Sequence, residues 1–179
     1  MSMRAKLRGA LPLALAMSLL APSLGGCMQE PRDPSELDLR LETHALEPGT
    51  PSTEGLAYVE ALASAHERAD ADAEGGLTAL LDALELERPV NDGVAEQMHY
   101  ELLARAAEQL LARGDSEQAL ELLEPRLAPS TSLPIDRAAA RGLVALGDAA
   151  AHTGDLPLAM SSYARALDML TLLLEEAES

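Results

Sequence analysis

The side chains that could do chemistry are few and widely spaced. The four histidines are His44, His66, His99 and His152, and Cys27 is the sole cysteine. His66-Glu67-Arg68-Ala69-Asp70 places a glutamate beside a histidine, as a zinc hydrolase helix does. Such a helix needs a second histidine on the same face to complete a metal site, and it is missing here. Gly75-Gly76 lacks the following lysine and the preceding strand that a phosphate loop requires. No Gly-x-Ser-x-Gly elbow and no dinucleotide fingerprint occurs. Carboxylates are plentiful, but acids spread along helices form solvated faces more readily than acid–base pairs. No spacing brings a nucleophile to a base, so neither an enzyme nor a metal or cofactor site is expected.

The elements that hold these residues read as helices. The 179 residues include no Phe, no Trp and three Tyr, and Ala, Leu and Glu dominate. A sandwich or barrel would need more β-branched and aromatic residues. No Val- or Ile-rich run separates the helical patterns, which argues against alternating α/β. One all-α domain with a tail is expected. The formal net charge is -17, which repels nucleic acid and anionic membrane surfaces alike.

Arg4, Lys6 and Arg8 precede an apolar run, Leu11 to Leu24, that Pro12 and Pro22 interrupt. This is a basic segment followed by a short apolar one, too short to span a membrane comfortably. It closes on Leu24-Gly25-Gly26-Cys27, which resembles a bacterial lipobox. The resemblance implies that residues 1–26 are a removed signal peptide and that the Cys27 thiolate accepts lipid to become the mature N-terminus. Several acyl chains give stable anchoring. Residue 28 is Met, where an Asp retains many lipoproteins in the inner membrane, so the periplasmic face of the outer membrane is expected. Residues 27–53, rich in Pro, Gly and Ser, read as a flexible tether. Within it Leu37, Leu39 and Leu41 alternate with charges, which fits an extended piece that docks or pairs.

Three helical hairpins follow, over 54–179. In the first, Ser52 or Thr53 caps a helix whose apolar face is Leu56, Val59, Leu62, Ala63 and His66. A long acidic break at 71–76 leads to Leu77, Leu80, Leu81 and Leu84. In the second, a helix from about Val94 to Arg113 buries Met98, Leu102, Leu103, Ala106 and Leu110. Gly114-Asp115-Ser116 turns into Ala119, Leu120, Leu122, Leu123 and Leu127, Asp115 being the expected cap. In the third, Pro134 opens a helix, and Gly154-Asp155 turns into the last one.

Leu146, Gly147, Ala150, Gly154, Ala159, Tyr163 and Ala166 stand at the spacing of one tetratricopeptide (TPR) repeat, which they resemble. Ala150 replaces the usual Tyr and Thr171 an often-found Pro. Residues 94–173 fit this family well and 54–89 poorly. The resemblance implies a short solenoid whose concave face shows Glu101, Ala104, Glu108 and Leu111, then Arg141, Val144, Asp148 and His152. That face is mostly acidic, so a basic or amphipathic peptide or protein in the envelope is the expected partner. The last helix carries more leucine than one neighbour can cover, with Met169, Leu172 and Leu173 as the expected interaction surface. A lipid-anchored adaptor is the leading reading. A small structural lipoprotein that self-associates through this helix is the alternative.

Overall fold

The computed structural model describes residues 41–46 and 52–178, so the expected leader, Cys27 and most of the expected tether lie outside the described part. Helix α1 spans Thr53–Ala71, α2 Ala73–Leu84, α3 Gly93–Ala112, α4 Ser116–Leu123, α5 Arg137–Thr153 and α6 Leu156–Glu178. Strands β1 (Thr43–His44) and β2 (Leu133–Pro134) are the only strands among the described residues. The domain is all-α, as expected.

Short polar side chains set most helix starts. Free N–H groups in the first turn need an acceptor. Ser52 accepts from the amide of Gly55 at 2.8 Å, Asp72 from Gly75 at 3.1 Å and Asp92 from Ala95 at 3.0 Å. Asp136 accepts from Ala138 at 2.9 Å and Asp155 from Leu158 at 3.1 Å. Asp72 removes the long break expected at 71–76. Its amide closes α1 on the Arg68 carbonyl while its carboxylate opens α2, so one residue makes the turn. Asp115 is the exception among the caps: it occupies the cap position of α4 but makes no side-chain cap bond.

Each odd-numbered helix packs on the helix that follows it, and α1, α3 and α5 pack on one another in series. Helix α2 also touches α3, and α4 touches α5. The turns after α3 and α5 share one geometry. Gly114 and Gly154 have φ of 83° and 88°, the left-handed conformation that ends many helices. The next amide reaches back five residues, Asp115 to Leu110 at 2.9 Å and Asp155 to Ala150 at 2.8 Å.

The core is built from leucine and alanine. Leu102, Leu103, Leu143 and Leu146 are shielded along with Ala106, Ala107, Ala139 and Ala149. Alanine lets helix axes approach, and each buried leucine stabilises by roughly 1.5–3 kcal/mol. One close approach is between α5 and α6, where a Cβ added at Gly147 would lie 2.5 Å from Cε1 of Tyr163. Gly147→Ala is expected to displace that ring and destabilise by about 1–3 kcal/mol. Urea unfolding reads this, and Tyr163→Leu in the same background should recover part of it.

Helix α1 buries Gly55, Tyr58, Leu62, Ala65 and Ala69. The expected face was rotated from this one, since Leu56 is 52% exposed. Helix α1 contacts both α2 and α3, and two neighbours fix its buried arc where periodicity alone could not.

Pro134 does not open α5. It lies in β2, parallel to β1, with the Leu133 amide bonded to the Glu42 carbonyl and the Ile135 amide to the His44 carbonyl, both at 2.9 Å. The alternate position between those two donors needs no N–H, so proline is tolerated there. The end of the expected tether is thus paired with the domain, and Leu41 packs against the core. Leu37 and Leu39 lie outside the described residues.

Candidate functional site

Helices α1, α3 and α5 present one side chain row each to a shared polar face, and two arginines cross between rows. Arg141 of α5 reaches Glu101 of α3 through Nη1 at 2.7 Å. It also reaches Glu108 with both Nε and Nη2, at 3.0 and 2.7 Å. Hydrogen bonding to Glu108, then to Glu101, holds the guanidinium above its ordinary pKa against the opposing effect of burial. Arg105 of α3 repeats the pattern toward α1, donating to His66 Nε2 at 2.7 Å and to the Asp70 carboxylate. That bond keeps the Asp70 carboxyl below the usual range.

Every expected groove residue lies on α3 or α5, and the structure sorts them. Glu101 and Glu108 are spent largely on Arg141. Asp148 accepts from the Tyr163 hydroxyl at 2.6 Å, which pushes that phenol up to about 12. His152 is exposed and donates through Nδ1 to the Asp148 carbonyl at 2.7 Å. Val144 is exposed, whereas Leu111 is half-buried against the core and Ala104 is fully buried. Ala104 therefore leaves the expected face, because α3 is covered on its α4 side as well as by α1 and α5. The open acidic groove expected from the sequence becomes a face of mutually paired charges. Exposed pairs of this kind contribute little, so Arg141→Gln is expected to lower stability by at most about 1 kcal/mol, less in high salt. Thermal unfolding at two salt concentrations measures it. Arg105, His66 and Asp70 were not among the expected groove residues. Their signal was an Arg one helical turn from Glu101 on α3.

A second cluster fastens β1. His44 hydrogen-bonds through Nδ1 to Ser132 Oγ and through Nε2 to Glu96 Oε2, each at 3.0 Å. Arg88 holds the other oxygen of Glu96 at 3.2 Å. A cleft of about 600 Å³ lies beside them, lined by His44, Arg88, Val90, Asn91 and Glu96 among others. Serine, histidine and glutamate in series also serve acyl transfer, which requires donors for an oxyanion as well. The amides flanking Ser132 are both engaged, Thr131 with the Ala128 carbonyl and Leu133 with the Glu42 carbonyl. The relay ties β1 to the residue before β2 and to α3. Among the described residues no group of three or more His, Cys, Asp or Glu is placed to hold a metal.

Helix α6 corrects the expected interaction surface. Met169 is fully buried, and Leu172 and Leu173 are half-buried, Leu173 against the core. The outward residues are Leu156, Met160, Leu167, Leu170 and Leu174, each 41–67% exposed. The same helix buries Arg165 at 1% exposure, with Nη1 donating to the Leu127 carbonyl at 2.6 Å. The sequence carried this signal unread: Arg165 stands in the stripe Ser162-Arg165-Met169, at spacings of three and four.

No family model, no curated protein and no solved structure matches this chain. Functional assignment therefore rests on residues and geometry alone.

Proposed function

We propose that this chain is a non-catalytic, lipid-anchored adaptor of the bacterial envelope, with a TPR-like solenoid that binds a protein or peptide. Its anchor is Cys27, and its place is the periplasmic face of the outer membrane. The observation that carries the reading is the serial packing of α1, α3 and α5 behind one polar face. The repeated Gly-Asp turns and the Gly147–Tyr163 contact support the TPR-like part of it. No described helix is long and apolar enough to cross a membrane.

A basic partner has to compete with Arg141 for Glu108 and with Tyr163 for Asp148. Joint charge reversal, Glu108→Lys with Asp148→Lys, is expected to abolish partner capture in envelope crosslinking. Arg141→Gln leaves both carboxylates of α3 open and is expected to strengthen it. Capture that both variants leave unchanged removes the groove assignment. For the anchor, Cys27→Ser is expected to move the chain from the membrane fraction to the soluble periplasm.

A further inference from the structure

The first hairpin is joined to the rest of the domain mainly along one helix. Helices α1 and α2 pack closely on each other, and a Cβ added at Gly76 would run into the Ala69 backbone. Beyond each other, their main packing partner is α3. The other four helices interlock, since α5 packs on α3, α4 and α6 alike. A unit held along one seam can open separately from a body held along several.

That seam is polar. The Tyr58 hydroxyl on α1 bonds His99 Nδ1 on α3 at 2.8 Å. Arg105 on α3 donates to His66 Nε2 on α1 at 2.7 Å and to the Asp70 carboxylate. At the start of α3, Asp92 sets its carboxylate against Gly55 of α1. Two buried atoms along the seam, His66 Nδ1 and Asp92 Oδ2, have no hydrogen-bond partner among the described residues. Unmet buried polar atoms weaken the interface that holds them.

Acid acts on this seam from both histidines. A proton on His66 Nε2 removes the acceptor of Arg105 and sets cation against cation. His99 is buried, with Arg88 beyond α2 and Arg126 beyond α4 opposing a charge on its ring. The nearby acids are engaged elsewhere. Glu96 of α3 holds Arg88 and His44, and Glu85 lies 3.6 Å from Arg126. Tyr100 meets the ring edge-on, and Arg141 of α5 is bonded to Glu101 and Glu108. Among the described residues no carboxylate bonds His99. The β1 clasp answers the other way, because a proton on His44 Nε2 faces the Glu96 carboxylate at 3.0 Å.

We propose that mild acid releases the α1–α2 hairpin from α3 as a unit, while β1 stays paired with β2 and α3 to α6 stay folded. The movement uncovers the side of α3 that carries His99 and takes the α1 row, His66 and Asp70, out of the polar face. On the adaptor reading, partner capture then follows pH. The release itself stands on the seam alone.

The test is hydrogen exchange read by mass spectrometry at pH 7 and pH 4.5, expressed as protection factors so that the intrinsic pH effect cancels. The chain as processed in the envelope is held in nanodiscs of neutral lipid. Protection of α1 and α2 is expected to fall about tenfold or more, and that of α5 and α6 less than about threefold. His99→Gln should hold the fall in α1 and α2 to less than about threefold. In the parent chain, magnetic resonance should find the His99 ring titrating well below 6.5, near 4. An equal fall in all helices overturns the proposal, as does unchanged protection of the hairpin. So does a His99→Gln variant that responds like the parent, or a His99 ring that titrates at its ordinary value. If the hairpin opens but capture at pH 4.5 equals capture at pH 7, the release stands and its link to the adaptor reading falls.

Discussion

Arg165→Ala is expected to lower the unfolding free energy by about 3–5 kcal/mol, a large fraction of the stability of such a domain. Arg165 is 1% exposed, and burial pushes its pKa below the ordinary value. Its contacts are carbonyl oxygens: Leu127 at 2.6 Å and Ala128 at 3.3 Å. These lie where the chain leaves α4 and starts toward β2, so the side chain ties the last helix to the connection between hairpins. Its Nε, and Ser162 Oγ one turn before it, have no hydrogen-bond partner. Truncation removes the packed stem and strips donors from buried carbonyls at once, and the two losses add. Arg165→Met keeps most of the stem volume and relieves the desolvated charge, so about half the loss is expected. Urea unfolding followed by circular dichroism measures both variants. A value for Arg165→Ala within about 1 kcal/mol of the parent would show that the guanidinium is not holding this connection.

The second large effect is a loss of stability in mild acid, carried by His99. The ring is lowered from its ordinary 6.5 to about 4, first by burial and then by the charges of Arg88 and Arg126. Its Nδ1 lies 2.8 Å from the Tyr58 hydroxyl, a bond between α1 and α3 that burial surrounds. The unfolded chain takes up the proton near pH 6.5, whereas the folded chain refuses it until about 4. Stability is therefore full at neutral pH, falls as pH drops through that window, and levels off below it. A shift of this size corresponds to a ceiling of about 3 kcal/mol. His99→Gln keeps a polar partner for Tyr58 and cannot titrate. The difference in unfolding free energy between pH 7 and pH 4.5 should be smaller in that variant by about 2–3 kcal/mol. Identical pH slopes would assign the acid sensitivity to other groups.

How far the sequence could be read depended on how local the determining interaction was. Ser52, Asp92 and the two Gly-Asp turns act within a few residues, and their helices start or stop close to where expected. The Asp72 turn was misplaced by the same rule, because Gly75-Gly76 looked like a break while the aspartate three residues earlier could already cap a helix. The α6 surface was half legible. Its excess of leucine was visible, but which stripe faced outward depended on where α5 and the Leu127 connection press against it. Met169 therefore went in, and Met160 and Leu167 stayed out. The expected acidic face was the least legible part, since Arg141 lies 33 residues from Glu108 and 40 from Glu101.

By itself the sequence determined the helical class and the two Gly-Asp turns, after α3 and after α5. Periodicity, capping and backbone freedom at glycine need no distant partner. Only the tertiary structure decided that β1 joins β2, that Arg165 is buried under carbonyls, and that the groove charges pair with one another. Each of those depends on side chains meeting across several helices, and one-dimensional spacing does not encode which face a neighbour covers.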